Sequence, residues 1–361
     1  MTTELLKTEL FHKHIELNAK MLPFTGFNMP IQYSKRIKSE IEAVRNTAGI
    51  FDVSHMGEFF VEGPESNKFI DYMISNNYLK SPIGKAVYSP LCRENGTVID
   101  DLIAYKLSEN NSLICVNASN IDKDWNWFYK HAEKFDISLT NKSEEYSLIA
   151  LQGPNAENIL KMLEFDSKVL SLEYYGAIES SFRSQSLIVA RTGYTGEDGF
   201  ELFCKNEFIN QMWGLLIDSG AKPCGLGARD VLRVEVCYPL YGHELNDELT
   251  PLDAALKWTV KTDKNFIGRD ALHEVSSNYR LVKLSLDKGI PREGYKILDS
   301  DKNEIGLISS GTMSPTINQG IGIGRVKRDL WPKDLKFNIQ VRKNIISANY
   351  IKGAFVTGGH K

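Results

Sequence analysis

The sequence predicts an α+β protein that ends in a small antiparallel β-barrel or β-sandwich. Two segments share a pattern of apolar strand, Gly-Pro turn and amphipathic helix. Their turns, Gly63-Pro64 and Gly153-Pro154, lie 90 residues apart. We interpret them as two related strand-helix units of one α+β body, although chance repetition explains so short a pattern equally well. From Tyr279 onward the chain instead breaks into short β-rich pieces separated by turn residues.

These β-rich pieces form the predicted C-terminal unit. They are LVKLSL, YKIL, IGLISSG, GIGIGRV, KFNIQV and SANYI. We expect the boundary to follow a strand at Trp258 and a helix near residues 269–276, where the polar run Ser276-Ser277-Asn278 occurs. No low-complexity linker separates the two parts, so they should pack closely.

Composition and charge exclude several classes of protein. The chain has 361 residues, of which 42% are hydrophobic and 25% charged, a globular composition long enough for two or three domains. Its net charge of -3 provides no broad cationic surface for nucleic acid or anionic lipid. The five cysteines are widely spaced and odd in number, which is typical of reduced thiols in a cytoplasmic protein.

The N-terminal segment mixes acidic and basic residues and has no apolar core or small-residue cleavage site. It is not expected to be a signal peptide, and no apolar run is long enough to span a membrane. We therefore expect a bacterial cytoplasmic protein, unless a transit peptide has already been removed.

A glycine-rich segment, residues 191–201, carries three carboxylates: Glu197, Asp198 and Glu201. Glycines allow close backbone approach to a ligand. The acids would repel a phosphate, however, and the spacing matches neither a P-loop nor a dinucleotide fingerprint. A better match is a neutral or cationic heterocycle whose N–H groups donate paired hydrogen bonds to a carboxylate, such as a pterin.

A second candidate is the predicted strand that follows the Asn95-Gly96 turn and contains Asp100 and Asp101. Because side chains alternate along a strand, Asp101 should share a face with Ile103 and Tyr105, and Asp100 should lie on the other. Tyr105 beside a carboxylate suits a flat heterocycle, so we favour Asp101. The alternative is that both acids only border a hairpin.

Residues 225–235 resemble a loop that leads into a helix whose first turn contains Arg229 and Asp230. Arg229 could hold a carbonyl or carboxylate of a ligand. The alternative is a surface ion-pair ladder formed by Arg229, Arg233 and Glu235.

The seven histidines form no metal-ligand spacing, so no metal site is expected. His55 could be a base, although a structural role is commoner for a lone histidine. No motif for a covalent nucleophile is present.

Several segments, in this order, resemble the aminomethyltransferase (T-protein) family of the glycine cleavage system. The matching segments are residues 25–33, 51–58, 85–89, 100–102, 116–120, 191–201, 225–230 and 241–242. The resemblance extends from about residue 8 to residue 355. Thr25 and Phe27 replace the commoner Ala and Trp, and the C-terminal tail has no clear match for a tyrosine that some members place near the ligand.

The resemblance implies a three-domain cloverleaf. Residues 8–262 would form two interleaved α/β folate-binding subdomains, with changeovers near 52–55 and 140–145, and residues 279–356 would form an antiparallel β-barrel. It also implies tetrahydrofolate as co-substrate and lipoylated H-protein as partner. By position, Asp101 would be catalytic and Glu201 and Arg229 would bind the folate. The pocket-lining positions would be Met56, Tyr88, Tyr105, Asn117, Tyr194 and Tyr238.

The implied reaction moves the methylene of an aminomethyl group from the lipoyl arm of H-protein to tetrahydrofolate, with release of ammonia. Two alternatives stay open: a folate-dependent demethylase of a methylated amine or sulfur compound, and a non-enzymatic folate-binding protein. Relatives linked to iron-sulfur cluster assembly carry a cysteine in their glycine-rich element. This chain has Tyr194 and Thr195 in that region and no cysteine.

Overall fold

The computed structural model describes residues 4–33 and 36–360. The helices are α1 (Phe11–Glu16), α2 (Arg36–Asn46), α3 (Ser66–Met73), α4 (Ile121–Ala132), α5 (Ala156–Met162), α6 (Ser167–Leu170), α7 (Asn206–Asp218), α8 (Leu226–Glu235) and α9 (Arg269–Glu274). The strands are β1 (Lys20–Phe24), β2 (Phe27–Gln32), β3 (Gly49–Asp52), β4 (Gly57–Glu62), β5 (Lys85–Cys92), β6 (Val98–Lys106), β7 (Asn111–Val116), β8 (Ser138–Asn141), β9 (Tyr146–Gln152), β10 (Ala177–Phe182), β11 (Gln185–Ala190), β12 (Gly199–Lys205), β13 (Lys222–Pro223), β14 (Tyr279–Leu286), β15 (Lys296–Leu298), β16 (Glu304–Ser314), β17 (Gln319–Lys327), β18 (Phe337–Val341) and β19 (Asn344–Tyr350).

Among the described residues, two large sheets make up most of the α+β body, and β1 and β2 pair as a separate two-stranded sheet. One large sheet has six strands in the order β10-β11-β12-β9-β3-β13, and the other has five in the order β5-β6-β7-β4-β8. The chain leaves the first sheet after residue 52, enters the second at residue 57, and returns between residues 141 and 146. Buried side chains of both sheets, including Phe51, Phe60, Tyr105 and Phe203, form one apolar core. Burial of this shared surface is what holds the two sheets together.

Both copies of the predicted strand-turn-helix pattern are present. In each, a glycine with a positive φ connects strand to helix: Gly63 (φ 126) between β4 and α3, and Gly153 (φ 130) between β9 and α5. A Cβ would lie 2.7 Å from the Asp136 carbonyl oxygen at the first turn and 2.5 Å from that of Thr47 at the second. Other residue types are therefore excluded on both backbone and steric grounds.

The six C-terminal pieces form a closed barrel in the order β14-β17-β16-β15-β18-β19. Leu284, Ile297, Val326 and Phe337 are among the buried residues of its interior. The open choice between barrel and sandwich is thus resolved as a barrel. The strand expected at Trp258 is wrong, because Lys257–Thr259 forms a short 3-10 helix.

Helix α8 joins the body to the barrel. Its Arg233 donates to Ser310 Oγ at 2.8 Å, and Glu235 Oε1 accepts from Ser314 Oγ at 2.6 Å. Both α8 side chains are almost completely buried, so the surface ion-pair ladder is wrong. The helix also begins at Leu226, which places Asp230 in the second turn, where it pairs with Arg233 at 2.8 Å.

The five cysteines are free thiols, and all but the partly exposed Cys237 are buried. Among the helices of residues 4–33 and 36–360, none has the length and apolar character needed to cross a membrane.

Candidate active site

A cavity of about 1200 Å³ is lined by residues from both sheets, from α8 and from the barrel. All nine side chains expected from the sequence lie along it: Met56, Tyr88, Asp101, Tyr105, Asn117, Tyr194, Glu201, Arg229 and Tyr238. The fold therefore brings together residues from six separate segments of the chain. Their roles toward a ligand remain predictions.

The Asp101 carboxylate is held at both oxygens. Tyr88, on the neighbouring strand β5, donates its hydroxyl to Asp101 Oδ2 at 2.9 Å, and Asn117 Nδ2 lies 3.1 Å from Asp101 Oδ1. Burial and the charge of Asp100 raise the pKa of Asp101 to about 7, and the two hydrogen bonds oppose that rise. A fixed carboxyl that titrates near neutrality can exchange a proton under physiological conditions.

Strand alternation separates Asp100 from Asp101. Asp101, Ile103 and Tyr105 line the cavity, whereas Asp100 is fully buried outside it. Asp100 accepts hydrogen bonds from the backbone N–H of Asn117 and the side-chain amide of Asn120. The sequence pattern correctly divided the two acids between faces, but it gave no partner for Asp100.

Glu201 lies on β12 and faces the same cavity. The hydroxyls of Tyr105 and Thr192 donate to Oε2 at 3.2 and 2.5 Å. Among the described residues, no donor bonds to Oε1, so one carboxylate oxygen is available to a ligand. A carboxylate held in this way accepts strong, directional hydrogen bonds from N–H groups.

The other two carboxylates of the glycine-rich segment serve the structure. Glu197 pairs with Arg45 at 2.8 Å, and Asp198 pairs with Arg191 through two hydrogen bonds of 2.8 and 2.6 Å. Neither lines the cavity. The three acids of this segment therefore do not act as one ligand-binding set.

Arg229 is half-buried on α8, and its Nη1 atom is enclosed without a hydrogen-bond partner among the described residues. Its guanidinium lies 4.7 Å from the centre of the Tyr194 ring. Burial lowers the pKa of Arg229, and the nearby charge of Glu201 opposes that shift. An enclosed, unpaired N–H is costly, so this atom is a natural donor to an acceptor on a ligand.

Two tyrosine rings, those of Tyr194 and Tyr238, line the cavity. The Tyr194 and Tyr238 rings lie 5.9 Å apart, and Tyr194 donates its hydroxyl to the Pro239 carbonyl. Tyr238 is hydrogen-bonded to His360 Nε2 at 3.0 Å, and His360 stacks on Tyr174 at 4.1 Å. No residue of the C-terminal tail was predicted to belong to the site. In the fold, however, His360 contacts Tyr238, which lines the cavity.

His55, Met56 and Trp258 also line the cavity. His55 is buried between the rings of Phe24 and Phe27, and burial lowers its pKa to about 4, so the imidazole is neutral at physiological pH. Trp258 is 57% exposed and stacks on Tyr88 at 6.0 Å. Trp258 was not predicted as a site residue, because its contact with Tyr88 joins segments 170 residues apart.

The fold and the site together define a class of enzyme built from three structural parts. Two large β-sheets with their helices and a C-terminal barrel line a single cavity, which contains carboxylates. The crystal structure of glycine cleavage system aminomethyltransferase T from Bartonella henselae has this fold. It superposes with a TM-score of 0.93 at 30% identity, over 99% of both chains.

Sequence comparisons agree. Residues 10–264 match the GCVT N-terminal domain, and residues 280–356 match the glycine cleavage T-protein C-terminal barrel domain. The chain is 44% identical to an aminomethyltransferase of Thermosipho melanesiensis and 40% identical to one of Staphylococcus epidermidis, each over 98% of both chains. The chain therefore belongs to the aminomethyltransferase family, the T-proteins of the glycine cleavage system.

Proposed function

We propose that this chain transfers a one-carbon unit from an aminomethyl group on the lipoyl arm of H-protein to tetrahydrofolate. The C–S and C–N bonds of the aminomethyl carbon break, and two C–N bonds to the folate form. The two protons displaced from folate nitrogen end on ammonia and on the dihydrolipoyl sulfur. The observation that carries the proposal is the Asp101 carboxyl, held by Tyr88 and Asn117 in a cavity that also contains Glu201 and Arg229.

The cavity residues fit tetrahydrofolate. Its pterin supplies N–H donors, for which Glu201 Oε1 is available, and its carbonyl oxygen is an acceptor for the unpaired Arg229 Nη1. Met56, Tyr105, Tyr194 and Tyr238 supply apolar and aromatic walls for a flat ring. When bound, the folate provides the two nitrogens that accept the carbon.

Asp101 has two tasks in this proposal. As a carboxylate, it stabilises the positive charge that develops on the carbon when the amine leaves. With a pKa of about 7, it also takes a proton from the attacking nitrogen and returns it to a leaving group. Tyr88 and Asn117 fix the direction of the carboxyl, and such positioning supplies much of a rate enhancement of this kind.

The partner, location and domain limits belong to the same proposal. Family membership supports H-protein as the donor of the carbon. Bacterial relatives and five free thiols support a cytoplasmic site of action. We place the folate-binding region at residues 8–262 and the barrel domain at 279–356.

The test is an assay of methylenetetrahydrofolate and ammonia with aminomethyl-loaded H-protein as donor. Free aminomethyl lipoate, dimethylglycine and sarcosine serve as comparison donors. We expect rapid transfer from H-protein, and a loss of roughly 10²-fold or more for Asp101→Asn, which removes the base and the charge. Transfer from dimethylglycine or sarcosine alone would favour a demethylase, whereas binding without turnover would indicate a folate-binding protein. Wild-type turnover by Asp101→Asn would remove this residue from the mechanism.

A further inference from the structure

Asp124, on α4, is a buried acid that the proposed mechanism does not use. Its side chain has no solvent exposure, and neither carboxyl oxygen accepts a hydrogen bond from a donor among the described residues. Helix α4 packs against β6, and the carboxyl of Asp124 neighbours that of Asp100. Two ionised carboxylates have no hydrogen to share, so one of the pair must carry a proton.

The contacts of Asp100 decide which acid carries it. Asp100 accepts three hydrogen bonds: from the Asn117 backbone N–H at 3.1 Å, from Asn117 Nδ2 at 2.8 Å and from Asn120 Nδ2 at 2.6 Å. A carboxyl that accepts from three donors is best satisfied when ionised. A single proton on this pair is therefore better accommodated on Asp124 than on Asp100.

Asn117 connects this pair to the cavity. The Nδ2 atom that donates to Asp100 also lies 3.0 Å from the Asp101 carbonyl oxygen and 3.1 Å from Asp101 Oδ1. An asparagine amide can turn over and exchange its donor and acceptor ends. If Asp100 is ionised, the Asn117 amide is stable only with its NH₂ group directed toward both acids. In that orientation Asn117 donates a hydrogen bond to the Asp101 carboxylate.

We propose that Asp124 is the protonated member of a carboxyl–carboxylate pair with Asp100, and that this pair locks the Asn117 amide and so orients Asp101 for transfer. Asp100 and Asp124 are then positioning residues. The inference rests on the proposed role of Asp101.

The pair also places one negative charge, that of Asp100, next to Asp101 on the side away from the cavity. That charge, second to burial, raises the pKa of Asp101. Burial and the charge of Asp100 hold the pKa of Asp124 well above its usual range. The other titratable groups that face the three acids are Tyr88, Cys115, Lys123, Tyr194 and Tyr241.

Three variants separate positioning from mere packing. Asp124→Asn keeps an N–H donor for Asp100 and should retain turnover within about threefold of wild type. Asp124→Leu removes the donor and should lower kcat by about tenfold or more, with little change in KM for tetrahydrofolate. The double variant Asp100→Asn/Asp124→Asn removes the charge, so the acid limb of the kcat/KM profile should move by about one unit to lower pH.

Equal kcat for Asp124→Asn and Asp124→Leu, or an unmoved acid limb in the double variant, would overturn the inference. Asp101→Asn is assayed in parallel. If that variant keeps wild-type turnover, the proposed role of Asp101 has failed and this inference fails with it; if it is inactive while the pair variants behave as wild type, only this inference has failed. The proposed function itself fails if the wild type transfers nothing from aminomethyl-loaded H-protein.

A spectroscopic measurement tests the protonation of the pair directly, even if the Asp124→Leu or the double variant folds poorly. In protein labelled with ¹³C at aspartate Cγ, at a pH about two units above the pKa of Asp101, we expect one protonated carboxyl signal that persists in Asp101→Asn and disappears in Asp124→Asn. The absence of such a signal from the wild type would show that the pair holds no proton.

Discussion

The hydroxyl of Tyr88 lies 2.9 Å from Oδ2 of Asp101 and donates a hydrogen bond to it, while its ring stacks on the exposed Trp258. One residue thus connects the proposed catalytic carboxyl to an aromatic surface that solvent reaches. Since the bond favours the ionised carboxyl, it opposes the burial that raises the pKa of Asp101.

Tyr88→Phe should therefore move the acid limb of the pH–rate profile upward. Without the hydroxyl, the pKa of Asp101 rises above about 7. The carboxylate form, which the reaction needs, then appears only at higher pH. Turnover at neutral pH should fall by about tenfold, the effect of roughly one pKa unit together with looser positioning.

The measurement is kcat/KM for tetrahydrofolate from acid to alkaline pH. Tyr129→Phe is the matched control, because Tyr129 is 61% exposed on α4 and lies outside the cavity. A shift of the limb toward lower pH in Tyr88→Phe would contradict the assignment, since it has the wrong sign.

Glu201→Gln should weaken tetrahydrofolate binding while the protein stays folded. The change replaces a charged acceptor by a neutral amide, and such a loss is worth about 1–2 kcal/mol, or roughly tenfold in Kd. Anaerobic titration calorimetry with tetrahydrofolate measures it. Glu197→Gln is the control from the same loop: its loss of the Arg45 pair should lower thermal stability and leave Kd unchanged. Equal effects of the two variants on Kd would reject a specific role for Glu201.

Arg229→Met should weaken folate binding without destabilising the free protein. Arg229 Nη1 is enclosed and has no partner among the described residues, so its removal relieves the cost of an unpaired buried donor, about 1–3 kcal/mol. We expect a thermal midpoint equal to or above that of wild type, and a Kd for tetrahydrofolate raised by more than tenfold. A lower midpoint with unchanged affinity would mean that Arg229 serves the fold.

Local sequence patterns predicted those features of the structure that depend on residues close together in the sequence. The two Gly-Pro turns marked the junctions of β4 with α3 and of β9 with α5. Alternation along β6 separated Asp100 from Asp101. The six β-rich pieces each became a strand of the barrel, although their spacing left the choice between barrel and sandwich open.

Contacts between distant segments were not accessible to the same reasoning. Nothing in the spacing pairs Glu197 with Arg45, so the glycine-rich segment appeared to offer more free carboxylates than it has. His360 reaches Tyr238 across 122 residues, and Asp124 meets Asp100 only because α4 packs beside β6. The ring of cavity residues could be inferred as a set only through family resemblance, because the set is a property of the closed fold.

Gly153→Ala should destabilise the protein, because this turn needs both a positive φ and room for the backbone. Gly153 has φ 130, and a Cβ would lie 2.5 Å from the Thr47 carbonyl oxygen and 2.7 Å from that of Val44. Strained backbone of this kind costs about 1–3 kcal/mol, to which the clash with α2 adds. Gly214→Ala is the matched control: this glycine lies within α7 with nothing within 4 Å of a Cβ, so alanine should stabilise by about 0.5–1 kcal/mol. Thermal midpoints at equal protein concentration should fall for the first variant and rise for the second. If Gly153→Ala were as stable as wild type, the turn would not need glycine.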